Sequence, residues 1–228
     1  MPASLIIRLA VFDCDGTLVD SQHSIIASMC RTFDLHGFDR PTADAVRHVV
    51  GLPLRDAIVR LVPMATEADH VRLEAGYIQA FSTLRQQGEV DDPLYPGVTE
   101  ILDHLDRDGW LLGIATGKGR RGLAATLERH GLARRFATLQ TSDSGPGKPN
   151  PDMLLNAMNE AGADPASTVM IGDTTYDMEM ARRAGAMAVG VTWGYHPVEQ
   201  LQKAGAHAVI RHFSELPGTL EIMGEKAT

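Results

Sequence analysis

The sequence predicts an α/β fold: a parallel sheet flanked by helices on both faces, with a separate helical unit inserted after the first strand. Three observations lead there. Short apolar runs alternate with longer stretches of helical periodicity, the rhythm of strand–helix units in a parallel sheet. Glycines fall just past four of the helical stretches, at Gly109, Gly131, Gly162 and Gly185, where a left-handed cap suits them. Residues 21–87 break the rhythm and contain no strand-like run.

Taken in order, residues 5–12 form the first apolar run and read as a buried strand. The insertion follows. Its apolar residues (Ile25, Ile26, Met29 and Phe33; Ala57, Ile58 and Leu61; Val71, Leu73, Tyr77, Phe81 and Leu84) recur at helical spacing. Residues 88–97, with three acids and two prolines, form the return linker. Thereafter strands at 110–115, 137–140, 169–171, 188–191 and 208–210 are separated by helices at 98–108, 120–130, 151–161, 174–184 and 198–203, with a last helix at 213–223. Residues 1–20 and 88–228 are therefore expected to build the sheet domain and residues 21–87 the helical one. Residues 224–228 are expected to fray.

Composition sets outer bounds. The chain has 228 residues, enough for one α/β domain and a modest second unit. No uncharged apolar stretch is long enough to span a bilayer, and residues 1–7 lack the basic region and cleavage site of a signal peptide. With two cysteines, Cys14 and Cys30, no disulfide framework organises the fold, and a cytoplasmic location is expected. A net charge of −8, scattered along the chain, argues against a nucleic-acid or membrane surface. It leaves room for a small anionic substrate in a local positive pocket.

Four polar signatures each follow a predicted strand: Asp13-Cys14-Asp15-Gly16-Thr17, then Thr116-Gly117-Lys118, then Gly147-Lys148-Pro149-Asn150-Pro151, then Gly172-Asp173-Thr174-Thr175-Tyr176-Asp177. Carboxylates at the rim of an apolar layer need a cation or hydrogen-bond donors to stay charged. The carboxyl ends of parallel strands share one edge, where ligands bind. Asp13, Asp15, Thr116, Lys148, Asp173 and Asp177 are thus expected to converge on one small volume.

These motifs, in this order, resemble the haloacid dehalogenase-like (HAD) hydrolase superfamily, and the helical insertion is similar to its C1-capped subgroup. The Thr-Gly-Lys, Gly-Lys-Pro-Asn-Pro-Asp and Val-Thr-Trp-Gly-Tyr segments are most like those of phosphoglycolate phosphatases. The resemblance implies a Rossmann-like core and a magnesium-dependent phosphatase acting on a small phosphorylated metabolite, 2-phosphoglycolate first among the choices. Pyrophosphate, nucleoside monophosphates and a hexose-phosphate mutase reaction stay open. It implies Asp13 as nucleophile and Asp15 as acid and base. Magnesium, an oxygen-seeking ion, would be held by Asp13, the backbone carbonyl of Asp15 and Asp173. Lys148 and Thr116 would stabilise the phosphoryl group, and Asp177 would orient Lys148 or a metal-bound water. Gly16, Gly117 and Lys118 would line the phosphate site, Lys118 at its edge. In the cap, Arg55 follows the turn Gly51-Leu52-Pro53-Leu54 and could pair with a substrate carboxylate. A monomer or weak homodimer is expected.

Competing readings account for less. Gly117-Lys118-Gly119-Arg120-Arg121-Gly122, with Asp143 downstream, imitates a dinucleotide-binding fingerprint. It does not head the fold, and it leaves four aspartates unexplained. A phosphoacceptor signalling module shares Asp, Thr, Lys and magnesium but places them in another order. Cys14, between two outward carboxylates, reads as a packing residue. Asp20 and Ser21 read as helix caps. The nine histidines show no metal-binding spacing.

Overall fold

The computed structural model describes residues 6–225. Its six strands are β1 (Arg8–Phe12), β2 (Trp110–Ala115), β3 (Thr138–Gln140), β4 (Thr168–Gly172), β5 (Met187–Val191) and β6 (Ala208–Ile210). They form one parallel sheet in the order β3-β2-β1-β4-β5-β6. The chain runs outward from β1 through β2 and β3, then returns to add β4 on the other side of β1. The switch point therefore lies between β1 and β4, where such sheets bind ligands at their carboxyl ends. Of the strand expected at 5–12, residue 5 lies outside the described residues and pairing begins at Arg8.

Side chains of a strand alternate between faces, so each strand feeds two cores. Ala10 and Phe12 point into a cluster completed by Leu102, Leu105, Leu123, Leu127, Leu216 and Leu220. These come from α5 (Val98–Arg107), α6 (Arg120–Arg129) and α10 (Leu216–Glu225). Leu9 and Val11 point the other way, against Met153, Met158, Met178, Ala181 and Leu201. That face is covered by α7 (Asp152–Ala161), α8 (Thr175–Ala184) and α9 (Val198–Lys203). β1 and β4 have a core on each side, which explains their nearly continuous apolar sequences. Gly109, Gly131, Gly162 and Gly185 all take positive φ after helices. The last predicted helix splits, because residues 213–215 form a 3-10 turn before α10 begins. The frayed tail expected at 224–228 falls mostly outside the described residues.

The inserted segment folds as α1 (Gln22–Leu35), α2 (Ala43–Val49), α3 (Leu54–Leu61) and α4 (Glu67–Gln86). α2 goes beyond the three helical stretches legible in the sequence. It has seven residues, capped by the Thr42 side chain, and buries only Val46 and Val49. The four helices share a cluster of Ile25, Met29, Phe33, Val46, Ile58, Leu73 and Phe81. The two crossings to the sheet run side by side: Val19 bridges Leu94, and the Asp20 backbone N–H donates to the Pro93 carbonyl at 2.8 Å. No helix among the described residues is long and apolar enough to cross a membrane.

Leu102 is fully buried beneath the sheet. Leu102→Ala should lower the unfolding free energy by about 2–5 kcal/mol, read from the urea midpoint at constant slope.

Candidate active site

Backbone pairing continues one residue past the strands and fixes where the polar side chains start. The Asp13 N–H donates to the Ile171 carbonyl at 2.9 Å, and the Thr116 N–H to the Gln140 carbonyl at 3.0 Å. Asp13 therefore leaves the sheet between Thr116 and Asp173, at the switch point. Lys148 arrives from the loop before α7, and Asp177 from the first turn of α8.

All of these side chains are buried. Lys148 Nζ lies 2.9 Å from Asp13 Oδ1 and 2.5 Å from Asp177 Oδ1. The other Asp177 oxygen accepts from the Thr174 backbone N–H at 3.0 Å and hydroxyl at 2.7 Å, closing a capping box on α8. Asp177 is thus fixed at both oxygens, and its hold on Lys148 is rigid. Asp173 accepts from the Thr17 hydroxyl and the Tyr195 N–H, each at 2.9 Å. Asp13 Oδ1 also accepts from the Cys14 N–H at 2.7 Å, while Oδ2 is buried with no hydrogen-bond partner.

The carboxylates of Asp13, Asp173 and Asp177 each bring an oxygen within 4.8 Å of the others. Burial pushes the Asp13 carboxyl up to about 7, Lys148 pulling it down and Asp177 pushing it further up. Asp173 is raised well above the usual range by burial, reinforced by Asp13 and Asp177. Both lysines sit above their ordinary range. Burial alone would lower them, but Asp15 outweighs it at Lys118, and Asp13 and Asp177 do so at Lys148. With all four acids ionised, two ammonium groups would leave an excess of two negative charges. That excess, the all-oxygen donor set and the unpartnered Asp13 Oδ2 fit one hard divalent cation.

Asp15 faces a different group. Its Oδ1 lies 3.0 Å from Lys118 Nζ and accepts from the Ser21 hydroxyl, which in turn lies 3.5 Å from the Tyr195 hydroxyl. Two expectations change here. Lys118 is not at the edge where α6 opens; its side chain is 11 % exposed and its ammonium lies 5.4 Å from the Phe81 ring centre. Ser21 sits at the N-cap position of α1 but makes no cap bond, because its hydroxyl is committed to Asp15. Gly16 (φ 84°) is also required by its neighbours: a Cβ there would collide with the Asp173 carboxylate.

The inserted helices rest directly on this edge. A Cβ at Gly117 would lie 2.7 Å from the carbonyl oxygens of both Gly51 and Leu52, and one at Gly147 would strike the Pro53 ring. The turn expected at 51–55 thus seats on the second and third motifs. Beside it, the Tyr176 hydroxyl donates to the His48 carbonyl and accepts from Arg60 Nη1, each at 2.8 Å. Val49, Leu52 and Ala57 pack against Tyr176. Between helices and sheet lies a cavity of about 620 Å³ reaching Asp13, Asp15, Thr116, Gly117 and Lys118. Arg55 lines it too, but its guanidinium is held by Glu67 at 2.5 Å and Glu74 at 3.3 Å. The cation offered to a substrate carboxylate is already paired.

Asp143, the acid of the imitation fingerprint, accepts from the Arg120 N–H at 2.7 Å and caps α6. Cys14 packs in the core, its thiol pushed up by burial and then by Asp15. Ser21, Tyr195 and Tyr176 stand in segments that the sequence singled out, but it gave none of them a role in the site. Their partners come from distant segments, which no local signal reveals.

Gly117→Ala should lower kcat/KM at least about tenfold while the melting temperature stays within a few degrees, since the atoms nearest the added methyl belong to the facing turn. Tyr176→Phe removes one hydroxyl with two partners and should cost about 1–3 kcal/mol of stability, checked by urea unfolding.

Residues 10–191 match the family model described as haloacid dehalogenase-like hydrolase. The chain is 37% identical to a probable phosphatase, IndB, of Dickeya dadantii (strain 3937), over 92% of each protein. It is 32% identical to a phosphoglycolate phosphatase of Agrobacterium fabrum, over 85% of this chain and 84% of the relative. Among solved structures, a hydrolase from Pseudomonas syringae superimposes with a TM-score of 0.83 at 28% identity, covering 94% of this chain and 98% of the other.

Proposed function

The chain belongs to the haloacid dehalogenase-like hydrolase family, and from that premise we propose that it is a magnesium-dependent phosphatase working through an aspartyl-phosphate on Asp13. The observation that carries the reading is the Asp13 carboxylate itself. One oxygen is fixed by Lys148 and the Cys14 N–H; the other is buried, unpartnered and at the switch point.

The residues then divide the work. Asp13 attacks phosphorus, forming a new P–O bond as the ester P–O bond breaks. Asp15, lining the same cavity, delivers its proton to the departing alkoxide. Water next attacks the phosphoenzyme, Asp15 takes the proton back, and the acyl-phosphate bond breaks to release phosphate and restore Asp13. Lys148 favours the ionised form of Asp13 against its burial and offsets charge gathering on the phosphoryl oxygens. The Thr116 hydroxyl donates to one of those oxygens. Lys118 and Ser21 hold Asp15 in place.

Asp13, Asp173 and the backbone carbonyl of Asp15 would hold magnesium, with Asp177 steering Lys148 rather than ligating. The ion supplies charge neutralisation where carboxylates and phosphate meet. Residues 21–87 act as a helical cap on a core of 1–20 and 88–228; its closure excludes water from the intermediate. The substrate is a small phosphorylated metabolite, and 2-phosphoglycolate, on which the Agrobacterium relative acts by name, is the first ester to test. Cys14 and Cys30 are both free thiols, which supports a reducing, cytoplasmic setting.

Phosphate release from 2-phosphoglycolate and acetyl phosphate tests the reading. Asp13→Asn should abolish turnover while its circular dichroism stays that of the wild type; retained turnover would rule out the aspartyl-phosphate. Lys148→Met should cost on the order of several kcal/mol of transition-state stabilisation, seen as a drop in kcat/KM of at least about a thousandfold. Magnesium should also act without substrate. At about a hundred times its Kd it should raise the unfolding free energy by about 2.7 kcal/mol. Asp173→Asn should lose that gain, as read by thermal melts with and without the ion.

A further inference from the structure

We infer that the preferred substrate is a phosphate monoester whose alcohol carries a ring with an apolar face, rather than a short acyclic acid; this rests on the phosphatase reading of the same site. The cap is already seated, with Gly51, Leu52 and Pro53 against Gly117 and Gly147, and the cavity of about 620 Å³ lies beneath it, open to solvent on one side. That is room for about twenty waters, in the range of pockets that enclose drug-sized ligands. A two-carbon acid would leave most of it filled with solvent beside a reactive intermediate.

The walls decide what fills it. Ile25, Met29, Val46, Val49, Tyr77 and Phe81 line it, one or more from each of α1, α2 and α4. Tyr77 and Phe81 stand one turn apart on α4 with ring centres 6.0 Å apart and planes at 39°, a broad aromatic surface. It begins where the reaction ends. The Lys118 ammonium lies 3.0 Å from Asp15 and 5.4 Å from the Phe81 ring centre, so the aromatic surface starts just beyond the cation that holds Asp15. Arg55, the cap cation that a short acid would seek, is held by Glu67 and Glu74. Arg85 and Arg121 also line the cavity and offer donors to polar groups on the ring.

The test compares kcat/KM for uridine 5′-monophosphate and N-acetylglucosamine 6-phosphate with that for 2-phosphoglycolate and glycerol 3-phosphate, on the full chain with magnesium. The expected result is a preference of at least about tenfold for one or both ring-bearing esters over both acyclic ones. Phe81→Leu keeps an apolar side chain in the cap and removes the aromatic face. It should shrink that preference at least about fivefold, with folding checked by thermal melt. An acyclic ester as the best substrate overturns the inference and leaves the phosphatase reading standing. A preference unchanged in Phe81→Leu removes the aromatic wall as its cause and overturns it as well. No turnover of any of these esters, nor of the acyl phosphate acetyl phosphate, would remove both readings together.

Discussion

The Lys148 ammonium, with no solvent access and carboxylates of Asp13 and Asp177 at 2.9 and 2.5 Å, is the constraint on which the remaining site geometry depends. A buried charge is tolerated only when paired and geometrically fixed. Each partner is accordingly anchored elsewhere: Asp13 by the β1–β4 ladder, Asp177 by the α8 capping box. Removing the cation would leave the carboxylates facing one another across a dry space. Keeping it still leaves two negative charges uncompensated once all four acids are ionised, which is the electrostatic argument for a divalent ion. The same arrangement thus holds the fold's most expensive polar cluster together and leaves one oxygen of Asp13 unengaged.

Asp15 is only two residues from Asp13 yet belongs to a separate environment. Its partners, Lys118 and Ser21, lie toward the inserted helices, and the aromatic wall begins just behind Lys118. Carboxylates given unlike surroundings can take unlike roles, one engaging phosphorus and the other managing protons. The division arises from the strand: consecutive side chains point in opposite directions, so Asp13 and Asp15 emerge on the same side with Cys14 turned into the core between them.

Seating of the helical unit is written in glycines as much as in bonds. Gly117 and Gly147 sit where the turn at 51–53 presses against the sheet edge, and Tyr176 reaches across to the His48 carbonyl and to Arg60. At Gly117 the contact is backbone against backbone. The crossings at Val19 and Leu94 lie paired where the helical unit joins the sheet.

By itself the sequence determined the alternation of strands and helices, the interruption at 21–87, and the polar residues at the strand ends. Each is a local property: periodicity, helix-ending glycines, and carboxylates costly to place beside an apolar layer. The burial of Asp13, Thr116, Lys148, Asp173 and Asp177 at one edge follows from parallel strands sharing a direction. What the tertiary structure alone decided were partners between distant segments. Strand order put β4 beside β1. Packing placed Lys118 on Asp15 and Phe81 instead of at an edge, drew Ser21 away from its helix end, and paired Arg55 with Glu67 and Glu74. A side chain's residue type fixes which partners it accepts. Only the relative placement of elements far apart in the chain fixes which acceptable partner is within 3 Å.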